Sequence, residues 1–138
     1  MSRGFINLLG PLFVRVFRPG ASEVKTLRVS SATDSSTRAT VLTPTSGKRV
    51  RIISISIGTL TATNFIGRLY FGTGAAISTT PANALFEANI DNSPAPGYYV
   101  KDWPDGGGPI GDVDEVVSMI TDVDIGGGMP TIITYREE

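Results

Sequence analysis

Neither cysteine nor histidine occurs among the 138 residues. Without thiols there is no disulfide and no thiolate metal site, and the redox compartment leaves no mark. Without imidazole the commonest general base and the commonest transition-metal ligand are missing. A zinc enzyme, or a Ser-His-Asp or Cys-His hydrolase built from one chain, is thereby excluded. Charge is sparse: charged residues make up 18% of the chain. No stretch sustains a helical period, and no apolar run is long and uncharged enough to span a membrane. What is present is 41% hydrophobic residues with 16 glycines and 9 prolines. That is enough apolar matter for the core of one domain, with the turn residues of an all-β fold.

The strongest pattern runs from Ser46 to Gly58. A Gly turn leads into Lys48, Arg49 and Arg51. Ile53, Ile55 and Ile57 then fall at every second position, with Ser54 and Ser56 opposite. This period of two in β-branched residues predicts a strand. Its parity slips at the start, because Val50 and Ile52 are even and the later isoleucines odd. Either both faces are buried near Ile52 or a bulge there resets the face.

Shorter strands are expected around it: Val24–Val29, Ala39–Leu42, Phe65–Phe71, Leu85–Ile90, Tyr98–Lys101, Glu115–Asp122 and Thr131–Tyr135. In the third of these Phe65, Leu69 and Phe71 share a face, and Gly67 predicts a close approach by a neighbour. In the fourth Phe86, Ala88 and Ile90 share a face. Residues 30–38, Gly58–Thr63, 75–83, 91–97, Trp103–Pro109 and Gly126–Gly128 read as loops. About eight short strands with turns between them suit a sandwich or a barrel.

Residues 1–20 are apolar with scattered arginines. A signal peptide is contradicted by Asn7, Gly10-Pro11, Arg15 and Arg18, and by the lack of a small-x-small cleavage site. From Leu12 the pattern alternates, Leu12, Val14 and Val16 against Phe13, Arg15 and Phe17, up to Pro19-Gly20. We read residues 1–22 as a strand-like arm and 23–138 as the domain. The arm's apolar residues need a surface, either the chain's own domain or a neighbouring subunit. Candidate anchors are Phe5, Ile6, Leu8, Leu9, Leu12, Phe13, Val14 and Phe17, with Arg3, Arg15 and Arg18 to meet carboxylates.

The net charge of −1 hides a division. Residues 1–51 hold nine Lys/Arg against two acids, and residues 52–138 hold three against eleven. Such polarity suits contact between copies or with an acidic partner, unless the halves mix in space and the field averages out. Lys48, Arg49 and Arg51 form a possible basic contact. Without interleaved aromatics they do not read as a nucleic-acid site. Tyr98, Tyr99 and Trp103 form a possible aromatic surface for stacking sugars, against their ordinary use as core or interface anchors. Asp112, Asp114, Glu115, Asp122 and Asp124 have the oxygen chemistry of a calcium site but not EF-hand spacing. A solvated, acid-ended strand is the plainer account. The runs Gly106–Gly108 and Gly126–Gly128 lack the Lys-Ser/Thr of a phosphate-binding loop. A carboxylate-pair enzyme of the glycosidase kind is the one catalytic reading left. With the acids confined to turns and strand ends, no enzyme, cofactor or metal is expected.

The strand opening Gly-Lys-Arg-Val-Arg-Ile (47–52), Leu-Tyr-Phe-Gly-Thr-Gly (69–74), the Gly-Tyr-Tyr turn (97–99) and the ending Ile-Thr-Tyr-Arg-Glu (133–137) follow one another in a layout. Over residues 38–138 that layout resembles small jelly-roll proteins of tailed bacteriophages, the capsid decoration (cement) and head-fibre proteins. The resemblance implies an all-β, eight-stranded antiparallel jelly-roll sandwich with an extended N-terminal arm. It implies a homotrimer on the outer surface of the virion capsid, bridging copies of the major capsid protein, with neither membrane nor nucleic acid as partner. A carbohydrate- or receptor-binding head-fibre or spike module is the alternative.

Overall fold

In the computed structural model, which describes residues 22–33, 36, 38–60, 62–73, 84–91, 97–104 and 107–138, the alternating segments are strands. They are β1 (Val24–Thr33), β2 (Ala39–Leu42), β3 (Val50–Gly58), β4 (Phe65–Phe71), β5 (Phe86–Ile90), β6 (Tyr98–Asp102), β7 (Val117–Thr121) and β8 (Ile125–Glu137). They form two four-stranded sheets, ordered β1-β8-β3-β6 and β2-β7-β4-β5. All of their pairings are antiparallel. The expected arm, 1–22, lies outside the described residues but for Ser22.

The inner faces of the sheets make one core. β3 contributes Val50, Ile52, Ile55 and Ile57, all fully buried, against Leu69, Ile90, Met119, Met129 and Ile133. Burying each of those β3 side chains contributes about 2 kcal/mol. The parity slip has its cause in a bulge. Ile52 pairs with Tyr135 and Ser54 with Thr134, so Ile53 is an extra residue in the ladder to β8. It also divides the strand's other edge. Before the bulge, Ile52 N–H donates to Pro109 O (3.0 Å) and Gly111 N–H to Val50 O (3.0 Å). After it, Trp103 N–H donates to Ile53 O (2.8 Å) and β6 takes over.

Several expectations need correction. β1 continues through the polar residues to Thr33, because an edge ladder requires backbone partners and not apolar side chains. β8 begins at Ile125, so Gly126–Gly128 lie within a strand and not a loop. The excess residues are absorbed in a register shift opposite Ser31/Thr33, where Gly128 has φ +83°. β7 starts at Val117, two residues late, and is buried on both faces. In β4 it is Tyr70, and not Phe71, that is fully buried. The Arg38 guanidinium lies 3.8 Å from the Tyr70 ring centre and covers it on the outer face. Gly108 is also no free loop residue: a Cβ there would lie 1.8 Å from Ile52 O.

The close approach at Gly67 is present: a Cβ would meet Met129 Sδ at 2.7 Å. These two glycines are expected to differ in what they tolerate. Met129 is flexible and can turn aside, so Gly67→Ala should cost about 1 kcal/mol. The Ile52 carbonyl is held in the strand, so Gly108→Ala should cost about 3 kcal/mol or more. Urea unfolding midpoints compare them, and equal losses would contradict the distinction.

Candidate interaction surface

Each strand direction decides what meets at the ends of the sandwich. β3, β5 and β7 finish, and β4, β6 and β8 start, at the same end, which we call the exit end of β3. Residues 58–60, 62–65, 91, 97 and 122–124 therefore gather there. The entrance end collects the start of β1 and β3, the end of β8, and residues 107–116.

The entrance end is closed by ion pairs. Arg51 is fixed in a two-point contact with Glu138, Nε to Oε1 at 2.6 Å and a second guanidinium nitrogen to Oε2 at 3.1 Å. It also donates to Gly108 O at 3.2 Å. Arg49 and Glu138 exchange backbone hydrogen bonds of 2.9 Å. Glu137 accepts from Lys25 Nζ, from Thr45 N–H (2.8 Å) and from the Thr45 hydroxyl. Of the expected basic trio, Arg51 is thus committed to its own chain, while Lys48 and Arg49 are exposed. The basic first half and the acidic second half interlock here, so their fields largely cancel at this end.

The aromatic trio is divided in the same way. Tyr99 and Trp103 face inward at the sandwich edge and both pack on Phe86, with ring centres 5.4 Å and 6.5 Å away. Lys101 Nζ lies 5.8 Å from the Trp103 ring centre. Tyr98 alternates to the outer face and is 76% exposed. The three do not form one platform. Two further exposed apolar residues lie nearby: Leu60 in the β3–β4 turn, 69% exposed, and Val100, 47% exposed. Val123 is exposed in the β7–β8 turn. Leu60 was legible in principle, as a large apolar residue in a turn of small polar ones.

The acids are dispersed. Asp114 accepts Gly47 N–H (2.6 Å), Asp122 accepts Ile66 N–H (2.6 Å), and Glu115 accepts Asp112 N–H (2.7 Å). Each carboxylate anchors a different piece of backbone. Among the described residues no group of three His, Cys, Asp or Glu is placed to hold a metal ion. Likewise, no described helix is long and apolar enough to cross a membrane. The arm candidates Arg3, Phe5, Ile6, Leu8, Leu9, Leu12, Phe13, Val14, Arg15, Phe17 and Arg18 all lie outside the described residues.

The entrance-end contacts set a pH dependence. The hydrogen bonds from Lys25 and then Thr45 N–H lower the Glu137 carboxyl from 4.5 to about 2. The Arg51 contact lowers Glu138 as well. A depressed carboxyl adds stability that is complete above its unfolded value, near 4.5, and is lost as pH falls through its folded value. Thermal midpoints measured from pH 5 to pH 2 should therefore fall more steeply for the natural chain than for Glu137→Gln. Parallel curves would refute the role given to this carboxylate. No protein-family model matches the chain, and no curated protein matches it.

Proposed function

We propose that the chain is a capsid decoration protein of a tailed bacteriophage, a non-enzymatic homotrimer on the outer surface of the virion that bridges neighbouring major capsid subunits. The observation that carries this reading is the nesting of the strand pairs. β1 pairs with β8, β2 with β7, β3 with β6 and β4 with β5. A long antiparallel hairpin rolled on itself, the winding of a jelly roll, gives these four pairings and the two observed sheet orders. That supports the jelly-roll assignment, and with it the resemblance to the decoration proteins.

Among the described residues the acids do not converge, and exposed apolar side chains and cations are left at the ends. Leu60, Tyr98, Val100 and Val123 are exposed toward one end or edge, and Lys48 and Arg49 at the other end. Patches of this size bind weakly alone. Three per trimer, repeated over a lattice, add by multivalency, because each further contact is made at high effective concentration. The receptor- or carbohydrate-binding alternative draws less support, since Tyr99 and Trp103 pack on Phe86 and Tyr98 faces the other way.

The test is sedimentation with undecorated capsids. The protein should pellet with them in multiples of three copies, and removal of residues 1–22 should leave a folded domain that pellets several-fold less. Protein that stays in the supernatant would sink the decoration reading. Glycan binding lost in Tyr98→Ala would favour the alternative.

A further inference from the structure

The outer faces of the two sheets differ. On β2-β7-β4-β5 the outward Tyr70, Ser118 and Ile120 are buried. The outer face of β1-β8-β3-β6 is open along both of its edge strands. β1 presents Thr26 and Arg28 there, and β6 presents Asp102, Val100 and Tyr98, all of them exposed. The inner strands between them offer smaller or half-buried side chains.

The register sets the two edges level. Thr26 is joined to Asp102 through Thr134 and Ser54, and Arg28 to Val100 through Ile132 and Ser56. Each such row lies on one face, because directly opposed residues of a ladder share it. In the next row toward the entrance end, Val24 is level with Arg136, Arg51 and the bridged Ile110. The face therefore carries a cation on one edge, Arg28, and an anion on the other, Asp102. Among the described residues neither has an ion-pair partner in its own chain.

The three outward residues of β6 suit an arginine. Val100 can take the aliphatic stem, while the Asp102 carboxylate and the Tyr98 ring, one row to either side, can take the guanidinium. A charge such as Asp102 blunts an edge against backbone pairing, so a contact here is made by side chains.

We infer that the β1 edge of one copy docks on the β6 edge of the next, with Arg28 lying on Val100 and paired to Asp102, the outer faces of this sheet being turned to an axis that runs along the strands. Rotation about such an axis keeps every row at its height, so level residues on the two edges meet. This selects another copy of the chain as the occupant, since each edge finds its complement on the opposite edge of the same face. The contact is head-to-tail and closes into a ring. Arg51 is already held by Glu138, and Arg136, on an inner strand, faces the axis and not the seam. The inference deepens the proposed self-association and rests on that reading for the number three, but it needs no capsid.

Arg28 and Asp102 are exposed, so their charges can be exchanged without entering the core. By sedimentation equilibrium without capsids the natural chain should be a trimer of about 44 kDa, three times 14.6 kDa. Arg28→Asp and Asp102→Arg should each associate roughly tenfold or more weakly, because each sets like charges against one another at every seam. The chain carrying both should regain the natural association, with the same pair reversed. Since the sequence has no cysteine, a Val24→Cys, Ile110→Cys chain tests the geometry independently. Within one copy those positions are three strand spacings apart, about 14 Å, too far for a disulfide. Oxidation should give covalent trimers, and either single variant should give no linked species. A trimer that neither charge change weakens, a double exchange that fails to restore it, or a trimer that stays unlinked overturns this seam and leaves the number three standing. Covalent dimers and nothing larger would put the face on a two-fold axis and overturn the ring. A monomeric natural chain overturns the seam and the self-association together. Decoration is judged separately, by the capsid pellet alone.

Discussion

The fold depends on one strand having different neighbours along a single edge. β3 is internal to its sheet, with β8 on one side throughout. On its other side the segment 108–111 holds the first half and β6 the second. The extra residue Ile53 stands where one neighbour replaces the other. It puts Val50 and Ile52 on the same inner face as Ile55 and Ile57, although their numbering parity differs. Without it, one half of the strand would present its isoleucines to solvent, since a slip of one residue inverts every side chain. β8 and β6 take their register from β3, and β1 takes its register from β8.

Much of this was legible because burial leaves a period. The alternation in β5 places Phe86, Ala88 and Ile90 inward as read, and the parity slip announced a bulge as one of its two explanations. Where the reading failed, the determinant was not periodic. Ser30, Ser31 and Thr33 are strand because their backbone pairs with Pro130, Met129 and Ile125, with Gly126–Gly128 taken up in the register shift between those pairs, and no side-chain pattern records that. Tyr70 is buried by Arg38, thirty-two positions earlier in the chain. β7 carries no alternation because both of its faces are covered, and a strand buried twice reads like any short apolar run.

The candidate contacts were less legible than the core, and the reason is electrostatic as well as geometric. Counting charge along the chain separates a basic half from an acidic one. Folding brings Lys25 to Glu137 and Arg51 to Glu138, and so spends cations that the sequence offers as free. The aromatic cluster is split by the alternation of a strand: neighbours in sequence go to opposite faces, so Tyr98 and Tyr99 cannot act together.

The same arrangement concentrates the ties that hold the fold at the entrance end, where Val24, Ile110 and Val113 are exposed beside them. At the entrance end the last two residues are tied by side-chain and backbone bonds to Lys25, Thr45, Arg49 and Arg51. Gly108 presses against Ile52 there, with no room for a side chain. At the exit end Leu60, Tyr98 and Val123 stand in solvent among acids, and Val100 lies along the edge below them. A large apolar side chain left exposed in a turn forgoes about 2 kcal/mol that burial would return. Scattered single cases need no explanation, and Val24, Ile110 and Val113 at the other end are of that kind, whereas Leu60, Tyr98, Val100 and Val123 fall near one edge and one end. Because the entrance end carries the ion pairs and the tight backbone approach, docking at the exit end need not disturb them. The ties that set the fold and the two most exposed apolar side chains, Leu60 and Tyr98, thus lie at opposite ends of the same strands.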